Sequence, residues 1–484
     1  MSLYKNLFKQ TAIYGIATVV PRMFSFILTP LYTMPGVMDL DKYADVSIIF
    51  SWLIFFNVIL AYGMETAFFR FYSKEDKGEV LSTSTISLFW SSIAFLFLAL
   101  LFRRQLAAGA EIDVEYITYT VWVLVLDALV IIPFSRLRAE GRPIFYAIVK
   151  ISTVAFNVLL NFFFLLWLPE IAQNHPDSLV AEMYVRDFQV GYVFLANVIS
   201  SLSALLILLP HYFKIRWHFN KDLWKSMIRY SYPVMIAGIA YAINEGFSRP
   251  LLQFMNVPKA DIGAYSACYR LVLFKTLFTT AYRLGIEPFF FSHSNKENAT
   301  QTYATVTKYF IIFGSIILLG VVVFADLFKG IFILDRQYWV AMDVVPLVII
   351  GAFFLGIYTN LSVWYKLSDK TKMGAYISIA GAIVTLVFNI ALIPVWGYMG
   401  SAVGTIGAYG AMMIISYFLG NKYYPIPYDM KSICGYLGVS IALSCVYFYC
   451  FRENYYVGVG TLIVFGLFLY KNEKQTLQRI ISRK

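Results

Sequence analysis

Residues 61–75 read AYGMETAFFRFYSKE, and residues 281–297 read AYRLGIEPFFFSHSNKE. At one ungapped offset Asp39 falls on Asp261, Tyr43 on Tyr265, Gly63 on Gly285 and Glu65 on Glu287. Phe68 and Phe69 fall on Phe290 and Phe291, Lys74 on Lys296 and Glu75 on Glu297. Each string closes an apolar stretch and runs into a polar loop, so one kind of helix end is used twice in the chain. A second register, displaced by a short indel, sets AEGRP at 139–143 against LSDKT at 367–371 and Asn161 against Asn389. Two registers in one chain point to a duplicated half.

The rest of the chain fits that duplication to a membrane. Of 484 residues, 60% are hydrophobic and only 14% charged, against roughly 25% charged in a soluble globular chain. A soluble globule is excluded. Apolar windows predict fourteen membrane spans, from 10–34 to 455–470. The matched strings fall at the ends of spans 2 and 8 and in the turns after spans 4 and 10. Six crossings return a chain to its starting side, so spans 1–6 and 7–12 read as parallel repeats. The fold class is therefore an all-α integral membrane protein of 14 transmembrane helices. It has a six-helix lobe over 1–215, a second over 216–421, and an additional pair, helices 13 and 14, with a basic tail over 422–484.

The formal charge of +11 would suggest nucleic acid in a soluble protein, but here it follows topology. With both termini in the cytoplasm, three of every four Lys and Arg outside the spans lie on the cytoplasmic side, as the positive-inside rule requires. No nucleic-acid partner is expected. The basic connector His211–Arg229 also carries Trp217, Phe219, Leu223 and Trp224, which suit an amphipathic piece on the inner surface. Lys5 and Lys9 precede an apolar stretch too long for a signal-peptide core, so the first span reads as uncleaved. The four cysteines lack metal-ligand spacing.

Charges inside spans cost at least a few kcal/mol each and need a reason. The candidates for binding an anionic substrate are Arg22, Arg249, Arg270, Lys275 and Arg283. Facing a water-filled cavity between the halves, such cations would hold a pyrophosphate through charge-assisted hydrogen bonds. Arg22 stands next to Pro21, which should bend its helix. Asp127, Glu245, Glu65 and Glu287 are the candidates for ion coupling. Structural roles compete with these: Glu245 and Arg249 stand four residues apart and could pair, and Glu65 and Glu287 could tie helix ends to turns such as the one holding Arg136 and Arg138.

All four histidines lie in connectors, and there is neither a Gly-rich phosphate loop nor a nucleophile elbow. The longest outer connector, near Pro169–Asp187, leaves no room for a catalytic domain. A carrier is expected, without a cofactor and without ATP; an H+ or Na+ coupling ion stays open.

KNLFKQTAIYGIATVVPRMFSFILTPLYT at 5–33, GIEPFFFS at 285–292, NIALIPVWGYMGSAVGT at 389–405 and YYPIPYDMKSI at 423–433 resemble the polysaccharide transporters of the multidrug/oligosaccharidyl-lipid/polysaccharide (MOP) exporter superfamily. The resemblance implies a MATE-like V-shaped bundle and a flippase. Such a protein moves an undecaprenyl-pyrophosphate-linked oligosaccharide across the bacterial inner membrane by alternating access, for surface polysaccharide. It also implies a monomer whose partners are that lipid-linked oligosaccharide, membrane lipid, and polymerase or glycosyltransferase machinery. A lipid II flippase and a cation-coupled multidrug exporter share the architecture and stay open as alternatives. The pair of spans beyond twelve favours a lipid-linked sugar.

Overall fold

In hydrocarbon a backbone has to satisfy its polar groups within its own segment, and this chain does so by helix alone, with no strand among the described residues. The computed structural model describes residues 15–481 apart from 18, 22, 25, 214, 294–296 and 369, and without the side chains of 284, 287, 288, 291–293 and 475–481. Among the described residues 11 helices are long and apolar enough to cross a membrane. The stretches of the other three expected spans are helical as well, as Lys221–Gly246, Leu273–His293 and Tyr455–Ile481. The first two interleave charge with apolar residues: Arg229 and Glu245 in one, Lys275 and Arg283 in the other.

The chain divides into two units. The first runs to Phe254 and takes in Pro258–Ser266. Its helices are α1 (Gly15–Tyr32), α2 (Leu40–Ala61), α3 (Met64–Tyr72), α4 (Lys77–Leu101), α5 (Val114–Leu129), α6 (Ile131–Ala139), α7 (Pro143–Phe162), α8 (Gln189–Leu208), α9 (Lys221–Gly246) and α10 (Ser248–Phe254). Helix starts are marked by side-chain caps: Asp39 accepts from the Lys42 amide, Asp76 from Glu79, and Asn220 from Asp222 and Leu223. Helix α5 packs on α4 and α8, α7 on α8, and α9 on α2 and α3.

Polar side chains link helices inside the apolar bundle. The Tyr32 hydroxyl donates to Asn161 at 2.8 Å, and Asn157 donates to Ser200 at 3.1 Å. Such interhelical bonds in a membrane are worth about 0.6 kcal/mol on average. The basic connector after α8 forms one short helical turn, Pro210–Phe213, and is irregular over 215–220, with Phe213, Trp217 and Phe219 exposed.

The first copy of the repeated string breaks its helix. Tyr62 (φ 32) and Gly63 (φ 71) are both left-handed between α2 and α3, and a Cβ on Gly63 would lie 2.6 Å from the Ser231 carbonyl oxygen of α9. Gly63→Ala is expected to lower stability by about 1–3 kcal/mol, from the left-handed backbone and from displacement of α9. A fall in the thermal unfolding midpoint of the solubilised protein checks this; an unchanged midpoint overturns it. In the second copy Gly285 lies inside a continuous helix, and the chain departs from α geometry earlier, at the 3₁₀ turn Arg270–Val272.

The unit boundary falls within α11 (Lys259–Tyr269), and the second unit holds Met255–Val257 and everything from Ala267 on. Its helices are α12 (Leu273–His293), α13 (Ala299–Val323), α14 (Ala325–Phe332), α15 (Val345–Leu361), α16 (Val363–Leu367), α17 (Thr371–Trp396), α18 (Tyr398–Tyr423), α19 (Met430–Cys450) and α20 (Tyr455–Ile481). Helices α17 and α18 form a hairpin packed through α18 on α15, and α13 lies against α12, α15, α19 and α20. Helices α19 and α20 are fastened to α13 by polar contacts. Glu473 of α20 is buried, pairs with Lys308 of α13, and accepts from the Tyr436 hydroxyl of α19 at 2.6 Å. Beyond the other end of α13, Asp326, Lys329, Asp343 and Arg452 form a second cluster.

Candidate functional site

Helix α12 carries Thr279, Tyr282, Arg283, Ile286 and Phe290 at spacings of three and four residues, which puts them on one face. Gly356, Thr359, Asn360 and Val363 repeat that spacing along α15 into α16, and Lys366 extends it by one turn. The two faces line a small cleft within the second unit. Gly356 lets the helices approach closely: a Cβ there would lie 3.1 Å from the Thr279 hydroxyl and 3.2 Å from the Phe310 ring.

Hydrogen bonds fix the polar side of the cleft. Asn360 donates through Nδ2 to the Tyr282 hydroxyl at 2.9 Å and accepts through Oδ1 from Thr307 of α13 at 3.1 Å. The amide is therefore oriented by two neighbouring helices, which makes the lining pre-organised. Two cations complete it, Arg283, itself exposed on α12, and Lys366, half-buried, in the last turn of α16. A planar guanidinium and an ammonium beside hydroxyls and an amide suit a multiply charged oxyanion: the first can bind bidentately, the second as a point charge.

Of the five cations expected to bind substrate, Arg283 is the one placed in this cleft. Arg270 is exposed on the 3₁₀ turn, and Lys275 is wholly buried. Arg249, on α10 of the first unit, lies half-buried with its guanidinium 5.8 Å from the Tyr265 ring centroid. Arg22 lies outside the described residues. Lys366 was not among the expected site residues, because it falls at a span end and counts there as a turn cation. The face spacing from Gly356 onward is the signal that could have found it.

Three of the four candidate acids, Asp127, Glu65 and Glu245, are spread over the first unit. Asp127 of α5 accepts from the Ser201 hydroxyl of α8 at 2.8 Å, with the charge of Lys150 near enough to act on it. Lys150 itself sits 4.3 Å from the Phe134 ring centroid. Glu65 accepts from Arg138 at 2.7 Å, joining α3 to α6. Glu245 is half-buried near the end of α9, and Arg249 follows on α10 after the turn at Phe247. The side chain of Glu287 lies outside the described residues. Among the described residues no group of three His, Cys, Asp or Glu could hold a metal ion.

A family model described as polysaccharide biosynthesis protein matches residues 7–282, and one described as MatE matches residues 251–391. No curated protein matches. Among solved structures, the chain is similar to a lipid II flippase MurJ in an inward closed conformation, with 14% identity, TM-score 0.73, and 95% of this chain and 99% of that chain covered. It is also similar to an inward-facing multidrug resistance MATE family transporter of the MOP superfamily, with 12% identity, TM-score 0.67, and 84% of this chain and 97% of that chain covered. At these identities the likeness is one of fold.

Proposed function

Since the chain belongs to the polysaccharide biosynthesis protein family, within the MOP exporter superfamily, we propose that it is a secondary carrier for a lipid-linked oligosaccharide. Its cargo is a sugar on undecaprenyl pyrophosphate, taken from the cytoplasmic leaflet of a bacterial inner membrane and released outward for surface polysaccharide. The observation that carries this reading is the convergence of Arg283 and Lys366 on one cleft with Thr279, Tyr282 and Asn360. Two cations match a pyrophosphate, whose charge is the part of the cargo most costly to bring into a low-dielectric bundle. The prenyl tail stays in lipid while the head group moves. Arg22, Arg249 and Arg270 belong to the same proposal as further cations on the path.

The chain is read as a carrier that leaves its cargo covalently unchanged, in line with the transporter families it matches. Lys366 stands at the end of span 10, which puts the cleft toward the cytoplasm in the expected topology.

Deletion should leave the full-length lipid-linked sugar intact and inaccessible to a periplasmic glycosidase, with surface polysaccharide lost and cells viable. Lysis on depletion would assign the lipid II alternative. Sensitivity to cationic dyes with normal polysaccharide would assign drug export, and a covalently altered lipid-linked sugar made by the purified protein would make it an enzyme.

A further inference from the structure

Lys275 lies two turns before Arg283 on α12, yet it is 0% exposed and is not part of the cleft's lining. Its Nζ is 3.4 Å from the Gly314 carbonyl oxygen of α13. Three rings surround it, with centroids at 3.7 Å (Phe353 of α15), 4.9 Å (Phe278) and 5.6 Å (Phe310). Gly314 is part of this cage, since a Cβ there would lie 2.8 Å from the amine.

Most of the ionisable groups on the surrounding elements are engaged elsewhere. Tyr282 bonds Asn360, and Tyr358 bonds Tyr365. On α13, Lys308 pairs with Glu473, Tyr303 donates to the Phe290 carbonyl, and Tyr309 precedes Phe310. Asp326 of α14 pairs with Lys329 and Arg452, and Asp343 with Arg452. Arg270 is exposed, and Arg283 lines the cleft. Among the described residues, then, no carboxylate stands within ion-pair distance of Lys275.

An ammonium entering this cage exchanges its hydration shell for one carbonyl and three ring faces, whereas a neutral amine gives up far less. The cage thus distinguishes the two protonation states of one side chain. It also adjoins the 3₁₀ turn Arg270–Val272, a break where α12 can shift against α11.

We propose that Lys275 carries the proton that couples this chain to a proton gradient. It loads that proton when its side chain reaches water and sheds it when the side chain seats among Phe278, Phe310, Phe353 and the Gly314 carbonyl. The proton bound to the amine leaves as a hydronium on one side of the membrane and is regained from water on the other, so one proton crosses per cycle and no other bond changes. This rests on the reading of the chain as a carrier.

The test uses the full-length protein in liposomes with a trapped pH-sensitive dye and a fluorescent undecaprenyl-pyrophosphate-linked N-acetylglucosamine as probe. The unmodified chain should move one proton per lipid. Lys275→Met, always neutral, and Lys275→Arg, always charged, should each lose at least nine-tenths of the proton movement per lipid. Lipid movement without protons in the unmodified chain, or a wild-type proton count in either variant, overturns the proposal and leaves the carrier reading standing.

Where the unmodified chain moves no lipid, the carrier reading fails. There, or where a variant moves none, amide exchange of α13 around Gly314 decides. A pH-dependent opening that Lys275→Met abolishes supports the proton site, and the same pH profile in both proteins overturns it.

Discussion

Replacing Arg283 and Lys366 together by alanine is expected to slow movement of the pyrophosphate-linked lipid about a thousandfold and to abolish surface polysaccharide, with the protein still inserted. Both side chains line one cleft, and neither belongs to the core of the bundle. A hydrogen bond to a charged group contributes about 1.5–3 kcal/mol, so each single replacement costs roughly ten- to a hundredfold and the pair approaches the product. Initial rates in proteoliposomes read the effect directly. Arg186→Ala is the internal control, because that side chain is exposed in a connector of the first unit and lies outside the cleft lining, and its rate should stay within about twofold of the parent. A parental rate in the double variant would remove the cleft from the transport path.

Conservative replacements sharpen the same prediction. Arg283→Lys keeps the charge and loses the planar fork, so it should recover part of the rate. Asn360→Ala removes the group that orients Tyr282 and leaves the Thr307 hydroxyl without its acceptor in α15. Its effect should be smaller than the loss of either cation, because it carries no net charge to the anion.

The helical membrane class was legible because apolar content is a local property of the chain. What the repeated string does locally was not legible. Gly63 breaks its helix where the Ser231 carbonyl of α9 presses on it, while Gly285 lies within a continuous helix. Neighbours, absent from the string itself, decide between those outcomes. Arg270 and Lys275, five residues apart, were separable on a helical wheel by about 140°, yet the wheel could not say which would face the interior. The structure buries Lys275 and exposes Arg270. The cluster fastening α19 and α20 to α13 was invisible for a different reason. Its partners Asp326 and Arg452 are 126 residues apart, and each reads alone as an ordinary connector charge.

That cluster carries the second large effect. Asp326 is 5% exposed and accepts from Arg452 at 3.0 and 3.1 Å through both of its oxygens, while Lys329, 8% exposed, pairs with it from the next turn. Asp343 takes the remaining arm of Arg452 at 3.1 Å. Asp326→Asn strips two cations of their shared counter-charge, and breaking such a buried arrangement costs about 3 kcal/mol. The loss should show as faster amide exchange in α19 and α20, with the first unit unaffected; unchanged exchange overturns it. Asp326→Leu with Lys329→Met, which removes charge from both sides, should lose less than Asp326→Asn alone.

The pH dependence has a definite sign. Burial pushes the Asp326 carboxyl up, but the hydrogen bonds and charges of Arg452 and Lys329 outweigh it and hold the carboxyl below its ordinary range. A carboxyl lowered by folding adds stability that is fully present above the ordinary aspartate value of about 4 and is lost as pH falls through its lowered native value. Protection of α19 and α20 should therefore be flat from about pH 8 to 5 and collapse below about pH 4. Asp326→Asn, already without the charge, should show the weakened protection at every pH and no step in the acid range.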